Sequence, residues 1–388
     1  MSGLDTLIML NKPRKIDREL RALRERFFVD TPRPGLLEWL TPPLVFLSRW
    51  VDVLLLEKRK WISLPWQHRL RAWRYGFTGF SWRLYELADK SPREYLPDVA
   101  GMRFGNDLNG RYTDAVFSKV VFSRMLKSLD APQPALLGML LRGSFYPEAG
   151  PACAALPGIR GLLEQGIKLV LRPSFGGGGT GILFLELTPA GYRVNSLPAN
   201  QATFERLVGP LHDYLVTRYV NQAAYAAEIF PGSTNTLRIL TLWDCAANTP
   251  FIAAACHRFG RTASGPLDNF HAGAGGLSVP IDIASGQLGK AVSRENWEIK
   301  RISHHPDTGK AIAGVVVPDW QRTMGELLAL AARLPYTPCI GWDLVKLEQG
   351  WTCLEGNPVP GYHVWQVHGP LLQDPRARHF YREFGMIK

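Results

Sequence analysis

Two carboxylates and one amide oxygen fall at a spacing that could do chemistry, in the segment Gly341-Trp-Asp-Leu-Val-Lys-Leu-Glu-Gln-Gly-Trp-Thr-Cys-Leu-Glu-Gly-Asn357. Glu348-Gln349-Gly350 reads as a three-residue turn with glycine last. Setting Leu347 against Trp351 then places Asp343 directly opposite Glu355, with Cβ atoms about 5 Å apart. Asn357 projects to the same side two residues on, and Cys353 falls on the Asp343 side as well. Opposed carboxylates in an apolar hairpin repel, so a cation is expected between them, and removing either one should relieve the repulsion. An all-oxygen set of Asp343, Glu355 and Asn357 suits a hard ion, Mg²⁺ or Mn²⁺, shared with phosphate oxygens.

A second constellation precedes it. Lys168 to Pro173 reads as a strand, Ser174-Phe-Gly-Gly-Gly-Gly-Thr-Gly181 as a loop, and Ile182 to Leu187 as a second strand. Four consecutive glycines, Gly176, Gly177, Gly178 and Gly179, leave backbone N–H groups bare enough to wrap phosphate oxygens. A Walker loop needs Gly-Lys-Ser/Thr, and both it and a dinucleotide-binding loop open a helix. This loop joins two strands instead, which makes it a flap over a nucleotide. Strand alternation puts Lys168, Val170 and Arg172 on one face, giving two cations near that flap.

These pieces need a scaffold. Forty-five Lys and Arg against 34 Asp and Glu give a formal net charge of +11, which favours anionic partners without choosing among them. At 388 residues, 46% hydrophobic and 20% charged, the chain reads as globular with more than one domain. Five cysteines, with no Cys-x-x-Cys pair, support neither a disulfide framework nor a zinc finger, and a reducing compartment is expected. The start lacks the apolar block of a secretory signal, and Leu36–Leu56 is too interrupted by Glu38, Pro42, Pro43, Arg49 and Asp52 to span a membrane. No Gly-x-Ser-x-Gly or His-Glu-x-x-His occurs.

The first 75 residues carry 15 Lys and Arg against 8 Asp and Glu, so +7 of the +11 sits there. Trp39, Trp50, Trp61, Trp66, Trp73 and Trp82 all precede residue 90. Helices are expected over Lys15–Phe28, Leu44–Lys60 and Trp66–Leu87. Basic residues interleaved with Trp fit either a helical subdomain with packed tryptophans or a surface for anionic membrane. From about Asn109, short apolar runs between Gly, Pro and Asn indicate mixed α/β structure.

Five motifs in order give the chain a family likeness. Ser118-Lys119-Val-Val-Phe, Leu171-Arg172-Pro-Ser-Phe-Gly-Gly-Gly-Gly-Thr-Gly-Ile, Tyr214 to Gln222, Ser233 to Ile239 and Asp268 to Gly276, followed by the Asp343/Glu355/Asn357 hairpin, resemble the ATP-grasp superfamily. Within it they are most similar to the sugar-transfer-associated proteins. The resemblance implies an α+β ATP-grasp fold, two lobes clasping ATP, preceded by an N-terminal helical domain. The corresponding division is 1–108 for the helical domain, 109–219 for the small lobe with the flap, and 220–388 for the C-terminal lobe.

It further implies that Lys119, Lys168, Arg172, Ser174, Gly176, Gly177, Gly178, Gly179, Thr180, Thr217, Arg218, Tyr219 and Val220 bind ATP. Asp343, Glu355 and Asn357 would hold Mg²⁺ (or Mn²⁺), and Arg238, Asn269 and His271 would serve the chemistry. Arg172 stands where the family carries Lys, and Ser118 where it carries Asp. The implied reaction joins a carboxylate to an amine through an acyl phosphate, on small molecules linked to surface polysaccharide. The setting would be cytoplasmic, peripheral to the inner membrane, with no nucleic acid involved. A small-molecule kinase and an inactive nucleotide-binding scaffold at the membrane are the alternatives. His304-His305 reads as an exposed turn, and Cys339 and Cys353 as core.

Overall fold

The computed structural model describes residues 52–58, 62–270, 275–295 and 298–387. The chain divides into Met1–Val51 and Asp52–Lys388, and the described residues all belong to the second unit. The helix expected at Lys15–Phe28, together with Trp39, Trp50, Trp61 and His271, lies outside the described residues.

Short β-branched and leucine-rich runs separated by turn residues build two antiparallel sheets. The first comprises β1 (Leu136–Leu141), β2 (Ser144–Pro147), β3 (Cys153–Ala154), β4 (Leu169–Pro173), β5 (Leu183–Thr188), β6 (Gly191–Val194), β7 (Leu197–Ala199) and β8 (Tyr214–Arg218). Their order is β3-β2-β1-β8-β4-β5-β6-β7. Leu169 and Leu171 of β4 point to one face, where they join Ile159, Leu163, Phe204 and Val208 from two helices in a single core. The alternation therefore frees Val170 and Arg172 for the opposite face.

The second sheet runs β13-β12-β11-β10-β9-β14-β15. Its members are β9 (Leu237–Asp244), β10 (Thr249–Phe259), β11 (Leu277–Pro280), β12 (Ala291–Glu295), β13 (Glu298–Ile302), β14 (Cys339–Lys346) and β15 (Trp351–Asn357). All eight residues of β14 are buried, because the sheet is covered on both faces. One face holds Leu237, Ile239, Trp342, Leu344 and Cys353 against the helix Trp320–Ala332. The other holds Leu240, Leu242 and Cys256 against Trp82, Tyr85, Phe380 and Tyr381.

That second core moves two expected boundaries. Residues 62–108 contribute Phe80, Trp82, Tyr85 and Leu96 to the same core as β9 and the C-terminal helix Pro375–Glu383, so they are not a separate N-terminal domain. The helix Lys119–Ser128, expected with the small lobe, packs Phe122 on Trp342 of the second sheet at 5.9 Å. The stretch expected as one helix over Trp66–Leu87 is two, Trp66–Arg74 and Gly79–Leu84. Gly76 breaks it at φ +79°, and Thr78 caps the second helix by accepting from the Ser81 N–H. Trp82 is core, whereas Trp66 is 60% exposed. No described helix is long and apolar enough to cross a membrane.

Candidate active site

Between the two sheets lies a cleft of about 300 Å³. Its floor is the cleft-facing row of the second sheet, where Asp343 pairs in register with Arg238 on β9 and with Glu355 on β15. Val170 and Arg172 line it from β4, residues 217–220 close one side, and the glycine flap covers it.

The expected Asp343–Glu355 opposition is present, reached by a different route. The hairpin pairs Lys346 with Trp351 and Leu344 with Cys353, one residue away from the expected register. An extra residue at Leu354, a bulge, restores Asp343 opposite Glu355. Cys353 therefore shares the face of its partner Leu344 and sits in the apolar core, 1% exposed, instead of facing the cleft. Arg172 Nη1 donates to the Leu354 carbonyl at 2.8 Å, so the small lobe grips the bulge.

The cation expected between the carboxylates is supplied in large part by the chain. Arg238 Nε lies 2.9 Å from Asp343 Oδ1 and Arg258 Nη2 lies 3.0 Å from Oδ2. Arg258 also reaches Asp268 at 3.4 Å and donates to Thr236 Oγ1. Lys119 Nζ stands 3.5 Å from Glu355 Oε2. Four cations (Lys119, Arg172, Arg238, Arg258) thus meet three carboxylates (Asp268, Asp343, Glu355), leaving a net positive site.

Burial sets the ionisation of this group, and the charges then divide it. Desolvation and the neighbouring Glu355 push the Asp343 carboxyl up to about 6 against the pull of its two arginines. Glu355 is half-buried, and Lys119, Arg238 and Arg172 outweigh its desolvation and hold its carboxyl below the usual range. Burial lowers the Arg172 and Arg238 guanidinium values.

Whether a divalent ion fits can be judged from the oxygens. Asp343 Oδ1 is buried and, despite the nearby guanidinium, receives no aligned hydrogen bond. Asn357 spends its Nδ2 on the Gly341 carbonyl at 3.1 Å, which leaves Oδ1. With Glu355 these form a compact hard-donor set that suits Mg²⁺ or Mn²⁺. Among the described residues no three His, Cys, Asp or Glu side chains cluster at metal-ligand spacing, so an ion here would take much of its shell from phosphate and water.

The flap is held down by side chains from below. Lys119 Nζ donates to the Gly176 carbonyl at 2.6 Å and Asn269 Nδ2 to the Gly178 carbonyl at 2.9 Å. Gly179, at φ +74°, passes so close to Asn269 and Leu267 that a Cβ would sit 2.5 Å and 2.8 Å from them.

Of the expected residues, Lys119, Arg172, Gly176, Gly177, Gly178, Gly179, Thr180, Thr217, Arg218, Tyr219, Val220, Arg238, Asn269, Asp343, Glu355 and Asn357 line the cleft. Two do not. Lys168 lies just ahead of β4, its ammonium 4.1 Å from the Tyr219 ring centre and 4.0 Å from Glu186, so it flanks the hinge and not the flap. Ser174 is buried as a strut, donating its N–H to the Asp213 carbonyl and accepting the Lys119 backbone N–H on its own carbonyl. His305 also departs from expectation. It is buried, 2.8 Å from the Gly260 carbonyl and stacked on Phe230.

Arg258, Thr236 and His363 were not among the candidates. Arg258 had a signal: it is the lone permanent charge in the otherwise apolar run Phe251-Ile-Ala-Ala-Ala-Cys-His-Arg-Phe259, a placement that needs a buried partner.

A cleft between two antiparallel sheets, closed by a glycine flap over clustered cations and paired carboxylates, is the ATP-grasp architecture. The chain belongs to the sugar-transfer associated ATP-grasp family, whose model matches residues 103–380. Among solved structures, it is similar to the D-alanine–D-alanine ligase from Helicobacter pylori at 9% identity and TM-score 0.38, covering 69% of this chain and 61% of that one. Biotin carboxylase from Campylobacter jejuni gives 11% and 0.37, covering 69% and 46%. The ADP complex of an N5-carboxyaminoimidazole ribonucleotide synthetase gives 8% and 0.34, covering 64% and 46%. The chain thus spans about half to three fifths of the length of these structures. No curated protein matches the sequence.

Proposed function

We propose that the protein is an ATP-dependent ligase that joins a carboxylate to an amine and releases ADP and phosphate. The observation that carries this reading is the net positive cluster of Lys119, Arg172, Arg238 and Arg258 beneath a glycine flap, beside the Asp343/Glu355 hairpin. Adenine is assigned to the apolar slot of Val170, Ile182 and Phe184 beside the hinge at 217–220. Lys119, Arg172 and the flap amides then hold the triphosphate tail, and Arg238 with Arg258 stabilise charge on the group in transfer. Asp343, Glu355 and Asn357 would hold the divalent cation, which when bound neutralises phosphate charge. The substrate carboxylate receives the γ-phosphoryl group, and the amine displaces phosphate from the resulting acyl phosphate. The family's association with sugar transfer suggests a sugar-linked carboxylate or an amino acid bound for a surface glycan.

The test is ADP release from ATP and Mg²⁺ across pairs of acids and amines, with mass spectrometry of products. The expected product is lighter by one water than the sum of acid and amine. A phosphorylated hydroxyl product formed without any amine would replace the ligase reading with a kinase, and no turnover with any pair would leave the scaffold reading.

A further inference from the structure

Arg294 on β12 is a cation without a counter-ion among the described residues. Its Nη1 and Nη2 are both buried and neither has a hydrogen-bond partner. Its guanidinium lies 5.0 Å from the Phe80 ring centre and 5.7 Å from that of Phe270. Other arginines nearby are matched: Arg258 has Asp268 and Asp343, Arg261 has Asp307, and Arg301 on the adjacent strand is paired with Glu86. A desolvated guanidinium with no anion is unfavourable, and burial lowers its pKa to about 10 with no carboxylate offsetting the effect. Two aromatic faces compensate only in part.

Strand register ties this group to the cleft. Arg258 pairs with Ser278, and Ser278 with Val292, so these three share one row across the sheet. Arg294, two residues beyond Val292, stands on the same face as Arg258 and is displaced toward the loop that carries Phe270. Two strand spacings and two residues separate the backbones of Arg294 and Arg258 by roughly 12 Å. Phe270 and His363 line the cleft, with ring centroids 6.2 Å apart and planes at 22°; Arg294 does not itself line it and adjoins it through the Phe270 ring.

We infer that Arg294 is the anion-binding end of the second-substrate subsite, taking a carboxylate or phosphoryl group that enters past Phe270 and His363. The planar fork matches two oxygens of either group at once. What the anion is attached to rests on the ligase reading; the binding of an anion there does not.

The experiment is thermal denaturation of the full chain, first saturated with Mg²⁺ and a non-hydrolysable ATP analogue so that the triphosphate cations are occupied. Succinate and inorganic phosphate are then titrated as separate probes. The wild type should gain Tm with at least one, and the tighter probe distinguishes a carboxylate from a phosphoryl ligand. Arg294→Met should keep the nucleotide-induced gain and hold or raise the ligand-free Tm, since it removes an unmatched charge. Its affinity for the anion should fall about 10- to 100-fold. If Arg294→Met does not fold, Arg294→Lys, which keeps charge without the fork, should need about tenfold more anion for half effect. An anion response equal to wild type in either variant, or none in the wild type with either probe, overturns the inference. Loss of the nucleotide-induced gain would instead count against the ATP site, so the two failures are distinguishable.

Discussion

Replacing Asp343 by Asn tests whether the carboxylates are a repelling pair or members of a charge network. Asp343 is 3% exposed, lies within 3.0 Å of two guanidinium groups, and faces Glu355 across the hairpin. Considering Asp343 and Glu355 alone, removal of one charge would relieve repulsion and leave the empty protein as stable or more so. With Arg238 and Arg258 included, the variant leaves four cations, three of them buried, against two carboxylates. Breaking a buried pair by removing one partner costs about 3–5 kcal/mol. Asp343→Asn without nucleotide or Mg²⁺ should therefore lose roughly 5–10 °C in Tm. Pairing it with Arg238→Gln restores the charge balance, and the double variant should recover part of the loss, read as a coupling in a double-mutant cycle. Turnover should be lost in the single variant, while ATP binding without Mg²⁺ should tighten, because the site becomes more positive. An Asp343→Asn protein with unchanged or higher Tm would refute the network.

Three further outcomes are expected. Arg172→Ala should raise the KM for ATP and lower kcat together, about ten- to a hundredfold in kcat/KM, whereas Arg172→Lys should keep substantial activity; steady-state kinetics decide. Gly179→Ala should cost at least tenfold in kcat/KM, since its Cβ would strike Asn269 and Leu267 at a positive φ, while Gly177→Ala meets no atom within 4 Å and should be tolerated, with melting curves confirming that both fold. Burial holds His257 and His368 neutral down to about pH 3. Their folded values lie below the unfolded 6.5, so the unfolded state binds the extra protons and stability present above pH 6.5 is lost as pH falls toward 3. Between pH 6.5 and 5 this amounts to about 2 kcal/mol per histidine, and His257→Gln should remove about half of that slope in urea titrations.

The sheet alternation and the flap between two strands were legible because each follows from local periodicity and turn residues. The Asp343–Glu355 opposition, by contrast, was reached from a register one residue off and holds because the Leu354 bulge restores it. What escaped the sequence depends on contacts between distant segments. The Leu354 bulge is fixed by a hydrogen bond from Arg172, 182 residues earlier, and a turn rule cannot anticipate such a partner. It also reverses the side on which Cys353 falls. Lys168 matched the Arg172 alternation, but it precedes β4 and its ammonium found the Tyr219 ring instead. The boundary expected at residue 108 failed because Phe80, Trp82 and Tyr85 fill a face of the second sheet that the strand patterns show only as apolar. Arg258 could have been found by asking what neutralises a charge inside an apolar strand.

Lys119 has a consequence for the order of events in the proposed reaction. Its ammonium holds the Gly176 carbonyl as well as facing Glu355. The group assigned to phosphate is therefore also the latch that keeps the flap down, with Asn269 as a second catch on Gly178. A phosphate that takes the N–H now given to Gly176 releases the flap, whereas one that takes the third N–H of the ammonium leaves it latched. Where release comes first, the observed rate of nucleotide binding should level off at high ATP concentration at the rate of opening; a rate that rises linearly with ATP marks capture under a closed flap.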